Sequence, residues 1–279
     1  MTVRIVTDST CDLPPDLVQA LDITVVPAYI NVGERSYLDG VDLSRAQFYR
    51  ELPGYDSHPT TAAPAPGVFA DVYQRLAASG GGPIISMHID GTLSGILNAA
   101  RLGAESTPDV QVSLFDSGQL SMGLGLLVKL AAEAAANGAG NDEILQLLAG
   151  SAEKTHTYAA LSTLEFLRRS GRVNWAQFGI ATVLSIKPIV HVHQGQINLD
   201  RVRTQRRARQ YLLDRLEQHA PLRAVAILHT ANFGEGETLS QEAIAFCQPG
   251  VYPVITEVTP AIGAHVGPGG LGFAGIAAS

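Results

Sequence analysis

Three times within the first 140 residues an apolar run passes through a polar turn into a helical pattern. Val3-Arg4-Ile5-Val6 leads through Thr7-Asp8-Ser9-Thr10-Cys11-Asp12 to a short helix between Pro14 and Leu21. Ile84-Ile85-Ser86-Met87-His88 leads through Asp90-Gly91-Thr92-Leu93-Ser94-Gly95 to a helical run from Ile96 to Leu102. Val110 to Phe115 leads through Asp116-Ser117-Gly118 to an alanine-rich helix from Gly123 to Asn137. A strand followed by a helix re-enters the sheet beside itself and in the same direction, so this alternation predicts an α/β fold with a mainly parallel sheet flanked by helices. The polar turns then fall after strands and at helix starts, where α/β proteins place ligand contacts. Helix capping accounts equally well for Asp8, Ser9 and Asp12.

The remaining pattern extends this reading. Ile23 to Val32 is strand-like, and Asp42 to Leu52 is helical with Ser44 or Asp42 as cap. His58 to Gly67 carries three prolines after a histidine and reads as a rigid extended loop, followed by a helix from Val68 to Ala77. A helix from Asn141 to about Ser151 precedes a strand-like Thr155 to Leu161. With 279 residues the chain can bury the cores of two modest domains, and we place the boundary there, giving α/β domains over 1–155 and 156–279. The second half holds a strand pair around Ile186 to Val190 and Gln196 to Leu199, and an arginine-rich helix from about Thr204. Leu222 to His229 and Tyr252 to Val258 read as closing strands.

Charge and cysteine content narrow the function classes. Twenty-six acids against nineteen Lys plus Arg give a net charge of −7, which opposes non-specific attachment to nucleic acid or anionic lipid. Two cysteines, Cys11 and Cys247, make neither a disulfide framework nor a zinc cluster, and point to a reducing cytoplasm. The chain turns strand-like at Val3 without an apolar signal core, and no uncharged apolar stretch is long enough to span a bilayer. The expectation is a cytoplasmic protein without stable membrane insertion.

Several residues could carry chemistry. His265 stands in the small-residue run Gly263-Ala264-His265-Val266-Gly267-Pro268-Gly269-Gly270-Leu271-Gly272, where backbone can approach a ligand closely; a glycine-rich strand with an ordinary histidine is the other reading. The run contains Gly267-x-Gly269-x-x-Gly272, but seven residues after it cannot complete a dinucleotide-binding unit. Thr61 sits in the proline-framed loop and Ser94 at a helix start, where unsatisfied N–H groups favour an anion. Turn and cap hydrogen bonds are their simpler roles.

A serine-dependent small-molecule hydrolase using Ser94 and His265 is the alternative of a different class. It lacks the Gly-x-Ser-x-Gly spacing of a nucleophile elbow, since the chain has Gly91-Thr92-Leu93-Ser94-Gly95. A metal site from His191 and His193, completed by His229 or His265, has no carboxylate at ligand spacing, and no metal or cofactor is expected. Arg168, Arg169 and Arg172 follow one helix, and Arg201, Arg203, Arg206, Arg207 and Arg209 crowd another segment. Guanidinium suits phosphate or a phosphate-bearing partner, yet without interleaved aromatics it does not indicate nucleic acid. No P-loop is present, so any nucleotide comes with another protein.

In order along the chain, Thr7 to Pro14, Thr61 with Pro64 and Pro66-Gly67, Leu93-Ser94-Gly95, Asp116-Ser117 with Ser121-Met122-Gly123-Leu124-Gly125, Leu167-Arg168-Arg169-Ser170-Gly171-Arg172, Lys187-Pro188-Ile189 and His265-Val266-Gly267-Pro268-Gly269 resemble the DegV family of fatty-acid-binding proteins. The resemblance implies a DegV-like two-domain α/β fold enclosing one long-chain fatty acid. It implies that Thr61 and Ser94 bind the carboxylate, with His265 close by. It further implies the binding subunit of a bacterial fatty-acid kinase, without a catalytic cycle of its own. A separate ATP-binding kinase subunit would phosphorylate the carboxylate, the acyl phosphate would feed phospholipid synthesis, and Arg172 and Arg203 would serve the headgroup end and the kinase partner. The chain departs from the family's usual residues at Ala62, Ala63 and Ile96, where polar side chains are common; Thr61 and Ser94 are kept.

Overall fold

The computed structural model describes residues 2–172 and 186–278. Seven strands come from the first part of the chain: β1 (Arg4–Asp8), β2 (Thr24–Val26), β3 (Tyr29–Val32), β4 (Arg35–Leu38), β5 (Thr60–Ala62), β6 (Ile84–His88) and β7 (Val112–Asp116). Strands β2-β1-β6-β7 form a sheet in that order with every pair parallel, as the strand–turn–helix alternation predicted. Strands β4-β3-β5 form a separate antiparallel sheet. Its third member lies within the stretch expected to be an extended loop. The prolines around Thr60–Ala62 leave three residues free to pair with β3, which places Thr61 opposite Ile30.

The intervening helices are α1 (Pro15–Ala20), α2 (Arg45–Glu51), α3 (Pro66–Ala78), α4 (Ile96–Glu105), α5 (Met122–Ala136) and α6 (Asn141–Ala152). Ser44 caps α2 by accepting from Gln47 N at 3.2 Å, which selects it over Asp42. Helix α5 is apolar nearly all round, with Leu124, Leu127 and Val128 fully buried, because it touches both β1 and β6 of the parallel sheet and β8, β11 and β13 (ranges below) of the second sheet. Each such side chain contributes roughly 1.5–3 kcal/mol of apolar transfer, which ties the two sheets together through one element.

The second sheet contains β8 (Thr155–Ala160), β9 (Lys187–His193), β10 (Gln196–Val202), β11 (Leu222–His229), β12 (Val254–Glu257) and β13 (Leu271–Ala277), in the order β10-β9-β8-β13-β11-β12. All its pairs are antiparallel except β11 with β12. Its helices are α7 (Glu165–Ser170), α8 (Gln205–Gln218), α9 (Phe233–Ala243) and α10 (Pro260–Val266). Helices α9 and α10 had no forecast, whereas β13 is the glycine-rich strand given as the other reading of the run around His265. Helix α10 carries His265, and β13 occupies the glycine-rich end of the chain between β8 and β11. Among the described residues no helix is long and apolar enough to cross a membrane.

A buried polar chain stiffens the parallel sheet. Asp8 Oδ2 lies 2.9 Å from His88 Nδ1, His88 Nε2 lies 2.7 Å from Ser86 Oγ, and Ser86 Oγ lies 2.8 Å from Tyr73 OH. Asp8 also accepts from Thr10 N at 3.0 Å and Ile89 N at 3.2 Å, so it fixes both turns that follow β1 and β6. The order Asp-His-Ser resembles a hydrolytic triad, but Asp8, Ser86 and His88 each have 0% exposure and none faces a cavity. The array is structural. His88→Ala strands Asp8 and Ser86 without partners and opens a void, so it is expected to cost about 3 kcal/mol of stability. Urea denaturation measures this, and a loss below about 1 kcal/mol would remove the array from the account of the turns.

Candidate functional site

A cavity of about 220 Å³ lies where the two sheets, α7 and α10 meet. A single water needs roughly 10–15 Å³ by the same kind of measure, so the space suits a much larger guest. One wall is the face of the second sheet formed by Thr157 and Ala159 on β8, Val190 and Val192 on β9, Ile197 on β10 and Leu228 on β11. Alternation along a strand puts every second residue on this face. The opposite wall comes from the turns of the parallel sheet, with Ile89, Leu93, Ser94, Ile96 and Leu120, and from Thr61 and Ala62 on β5 with Ala63 after it. Helix α10 closes one side with Ala261, Ile262, His265 and Val266, and α7 adds Leu167 and Ser170, followed by Arg172.

Many of the cavity's hydroxyls are engaged by the protein. Thr10 donates to Asp8, Ser121 to Asp12, Thr157 to Gln119 Oε1 at 2.9 Å and Ser170 to Leu167 O at 2.7 Å. Thr230 accepts from Gly270 N at 2.6 Å, and its hydroxyl hydrogen has no acceptor among the described residues. These groups present mainly carbon to the interior, and the wall is apolar over most of its area.

Thr61 and His265 differ. Thr61 Oγ1 and His265 Nε2 are 2.9 Å apart, while His265 Nδ1 is buried without a partner among the described residues. If Nε2 carries the imidazole hydrogen, it donates to Thr61 and leaves the threonine hydrogen available. If Nδ1 carries it, Thr61 donates to Nε2 and the buried Nδ1–H has no acceptor among the described residues. Either tautomer leaves one donor unpaired. Burial above all, then Arg172 and His58, lower the pKa of His265 to about 4, so the imidazole is neutral near pH 7. An anion beside it would favour the imidazolium and oppose those effects.

Ser94 was expected at a helix start, and it precedes the capping Gly95 of α4. Its Oγ accepts from Ile96 N at 3.3 Å, leaving the hydroxyl hydrogen without an acceptor among the described residues. The loop bearing it runs beside Ala63, the residue after β5, since a Cβ on Gly95 would lie 3.9 Å from Ala63 Cβ. Ser94 and His265 are not hydrogen-bonded to each other. Arg172 reaches the cavity and donates from Nη1 to Ser170 O at 2.6 Å. Arg203 does not line this cavity; it borders a surface cleft with Arg201 and Arg207 beside the start of α8.

Of the glycines around His265, Gly270 and Gly272 line the cavity, and others of the run serve packing. Gly267 ends α10 with φ of 74°, and a Cβ there would lie 2.4 Å from the Phe166 ring; the conformation and the packing both require glycine. A Cβ on Gly272 would lie 2.3 Å from Tyr158 O. The run seats α10 against α7 and β13 against β8, and thereby aims His265. The histidine set weighed for a metal does not assemble: His265 and His229, the last residue of β11, line the cavity, whereas His191 and His193 lie on the far face of the second sheet. Among the described residues no group of three or more His, Cys, Asp or Glu is arranged to hold a metal ion.

A sequence profile of the family described as "Uncharacterised protein, DegV family" matches residues 2–278. A DegV domain-containing protein of Streptomyces coelicolor is 36% identical over 279 residues, covering 97% of this chain and 96% of its own. Among solved structures, a DegV family protein from Thermus thermophilus described for its fatty-acid binding has a TM-score of 0.90 at 30% identity, covering 99% of this chain and 100% of its own. DegV of Bacillus subtilis, described as a fatty acid binding protein, has a TM-score of 0.88 at 26% identity over 99% of each chain.

Proposed function

Because this chain belongs to the DegV family, we propose that its cavity binds one long-chain fatty acid, with the carboxylate at Thr61, Ser94 and His265 and the alkyl chain along the apolar wall. The observation that carries this reading is the uneven state of the cavity's polar groups. Thr10, Ser121, Thr157 and Ser170 direct their hydrogens into the protein, whereas Ser94, the Thr61–His265 pair and Thr230 keep donors in reserve. A buried carboxylate needs such donors or it takes up a proton. A C16 chain offers about 0.8 kcal/mol per buried methylene, on the order of 10 kcal/mol before ordering costs. Ala62, Ala63 and Ile96 make the wall near the headgroup more apolar and leave recognition to fewer groups.

The protein in this reading is a carrier without its own catalytic cycle. It presents the carboxylate to a separate ATP-binding kinase subunit. There a carboxylate oxygen attacks the γ-phosphorus, the bond to ADP breaks, and an acyl phosphate forms for phospholipid synthesis. Positive groups must balance the charge gathered on the phosphoryl oxygens. Arg172 at the cavity edge and Arg203 on the neighbouring surface are the residues we assign to the headgroup end and to the partner.

Mass spectrometry of the purified protein, first under native conditions and then after denaturation, tests the binding. The expected result is an added mass of a C14 to C18 fatty acid that disappears on denaturation. A ligand-free protein that also takes up no added stearate would sink the reading. Kinase coupling is tested separately by acyl phosphate formation with an added kinase subunit and ATP, where Arg203→Ala is expected to slow turnover without reducing stearate uptake and Arg172→Ala, at the headgroup end, to slow turnover with some loss of uptake. Unchanged turnover in both removes the assigned partner role.

A further inference from the structure

The far face of the strands that wall the cavity carries an unusual array. On β8, Thr157 and Ala159 face the cavity, so His156 and Tyr158 face away; on β9, Val190 and Val192 face the cavity, so His191 and His193 face away. His219, at the C-terminal end of α8, completes the group. The His156 ring lies 4.1 Å from that of His193 and 3.9 Å from that of His219, with interplanar angles of 17° and 20°. His191 stacks on Tyr158 at 4.0 Å. His156 Nδ1 is 3.2 Å from His191 Nε2, and Tyr158 OH is 3.2 Å from His219 Nε2. His193 Nδ1 donates to Thr155 O at 2.9 Å.

Such an array is stable only while its rings are neutral. Two imidazolium rings face to face at this spacing repel, and a charged ring loses its water. The other titratable or charged groups bearing on the stack are Tyr158 on β8, Asp200 on β10, and Tyr211 and Arg215 on α8. Asp200, the single carboxylate among them, already accepts from Tyr211 OH at 2.5 Å, and Arg215 adds positive charge. Asp200 favours a charged His191, but burial, the neighbouring histidines and Arg215 outweigh it.

We propose that this imidazole stack is an acid-sensitive latch, whose protonation parts α8 from β8 and β9 and releases the acyl ligand held on the opposite face of the same two strands. The proposal rests on the acyl-binding reading above. Burial first, then the neighbouring histidines, lowers His156 to about 3, and burial with the neighbouring charges lowers His191 to about 4. An imidazole freed into water titrates near 6.5. A group with a lowered value in the closed state favours opening as pH falls through its open-state value, so the latch is fully closed above about pH 6.5 and loses stability from there towards pH 4. Each proton taken up on opening contributes about a tenfold change per pH unit in that window.

The test follows release of pre-bound radiolabelled stearate into phosphatidylcholine vesicles between pH 7.5 and 5.0, with circular dichroism at each pH. Stearate release from the wild-type protein is expected to accelerate below pH 6.5. His156→Phe keeps the stacking without a titratable nitrogen; it is expected to match wild type at pH 7.5 and to release about thirtyfold more slowly at pH 5.0. His219→Phe, at the edge of the stack, makes the same comparison should the first variant misfold. Parallel pH profiles for wild type and the folded variants overturn the latch while leaving acyl binding intact. Failure of every form to take up stearate at pH 7.5 overturns the acyl-binding reading, and the latch with it.

Discussion

Thr61→Val combined with Ser94→Ala is expected to weaken stearate binding by roughly two to four orders of magnitude at pH 7.5. Each hydroxyl removed takes away a hydrogen bond to a charged group, at about 1.5–3 kcal/mol apiece, and the buried carboxylate then has little to replace them. Thr61→Val also frees His265 Nε2 from its 2.9 Å contact, so the imidazole loses its orienting partner. The fold changes little, because neither side chain supports an element: the Ser94 contact to Ile96 N is long at 3.3 Å, and β5 pairs with β3 through backbone. Calorimetric titration with stearate checks the loss. A change below about threefold would place the carboxylate elsewhere in the cavity and leave Thr61 and Ser94 as turn residues.

Ala159→Phe is expected to abolish measurable stearate binding while leaving the protein folded. Ala159, the penultimate residue of β8, lines the cavity, so a benzyl group there occupies the space that the alkyl chain needs. Excluding about six methylenes removes about 5 kcal/mol of transfer energy, more than three orders of magnitude in affinity. Filling an empty apolar space also supplies dispersion contacts to its lining, so the melting temperature should hold or rise. Calorimetry together with thermal denaturation separates the two effects. Stearate binding within about threefold of wild type, in a variant that melts normally, would mean that the chain runs elsewhere.

The parallel sheet, its turns and the placement of Ser94 were legible in the order of residues, because strand–turn–helix periodicity is a local signal carried by successive side chains. Buried runs such as Ile84–His88 and the cap at Ser44 are decided within a few residues of themselves. The anion-binding residue types and the exclusion of a dinucleotide motif could be argued from spacing. The family could be argued from short motifs kept in order along the chain.

What the tertiary structure decided is which of these residues meet. Thr61 and His265 are 204 residues apart in sequence and 2.9 Å apart in space, a pairing made by β3 drawing in β5 and by α10 docking beside it. Helix α10 was illegible because its glycines and small apolar residues carry little helical signal; its position comes from Gly267 fitting against Phe166. The same holds for the separation of Arg203 from the cavity and for the four stacked histidines, of which the sequence showed only the pair on β9. Local periodicity encodes what a segment becomes, whereas cross-strand register and helix docking are sums of contacts distant in sequence, and those contacts determined the contents of the cavity and the face behind it.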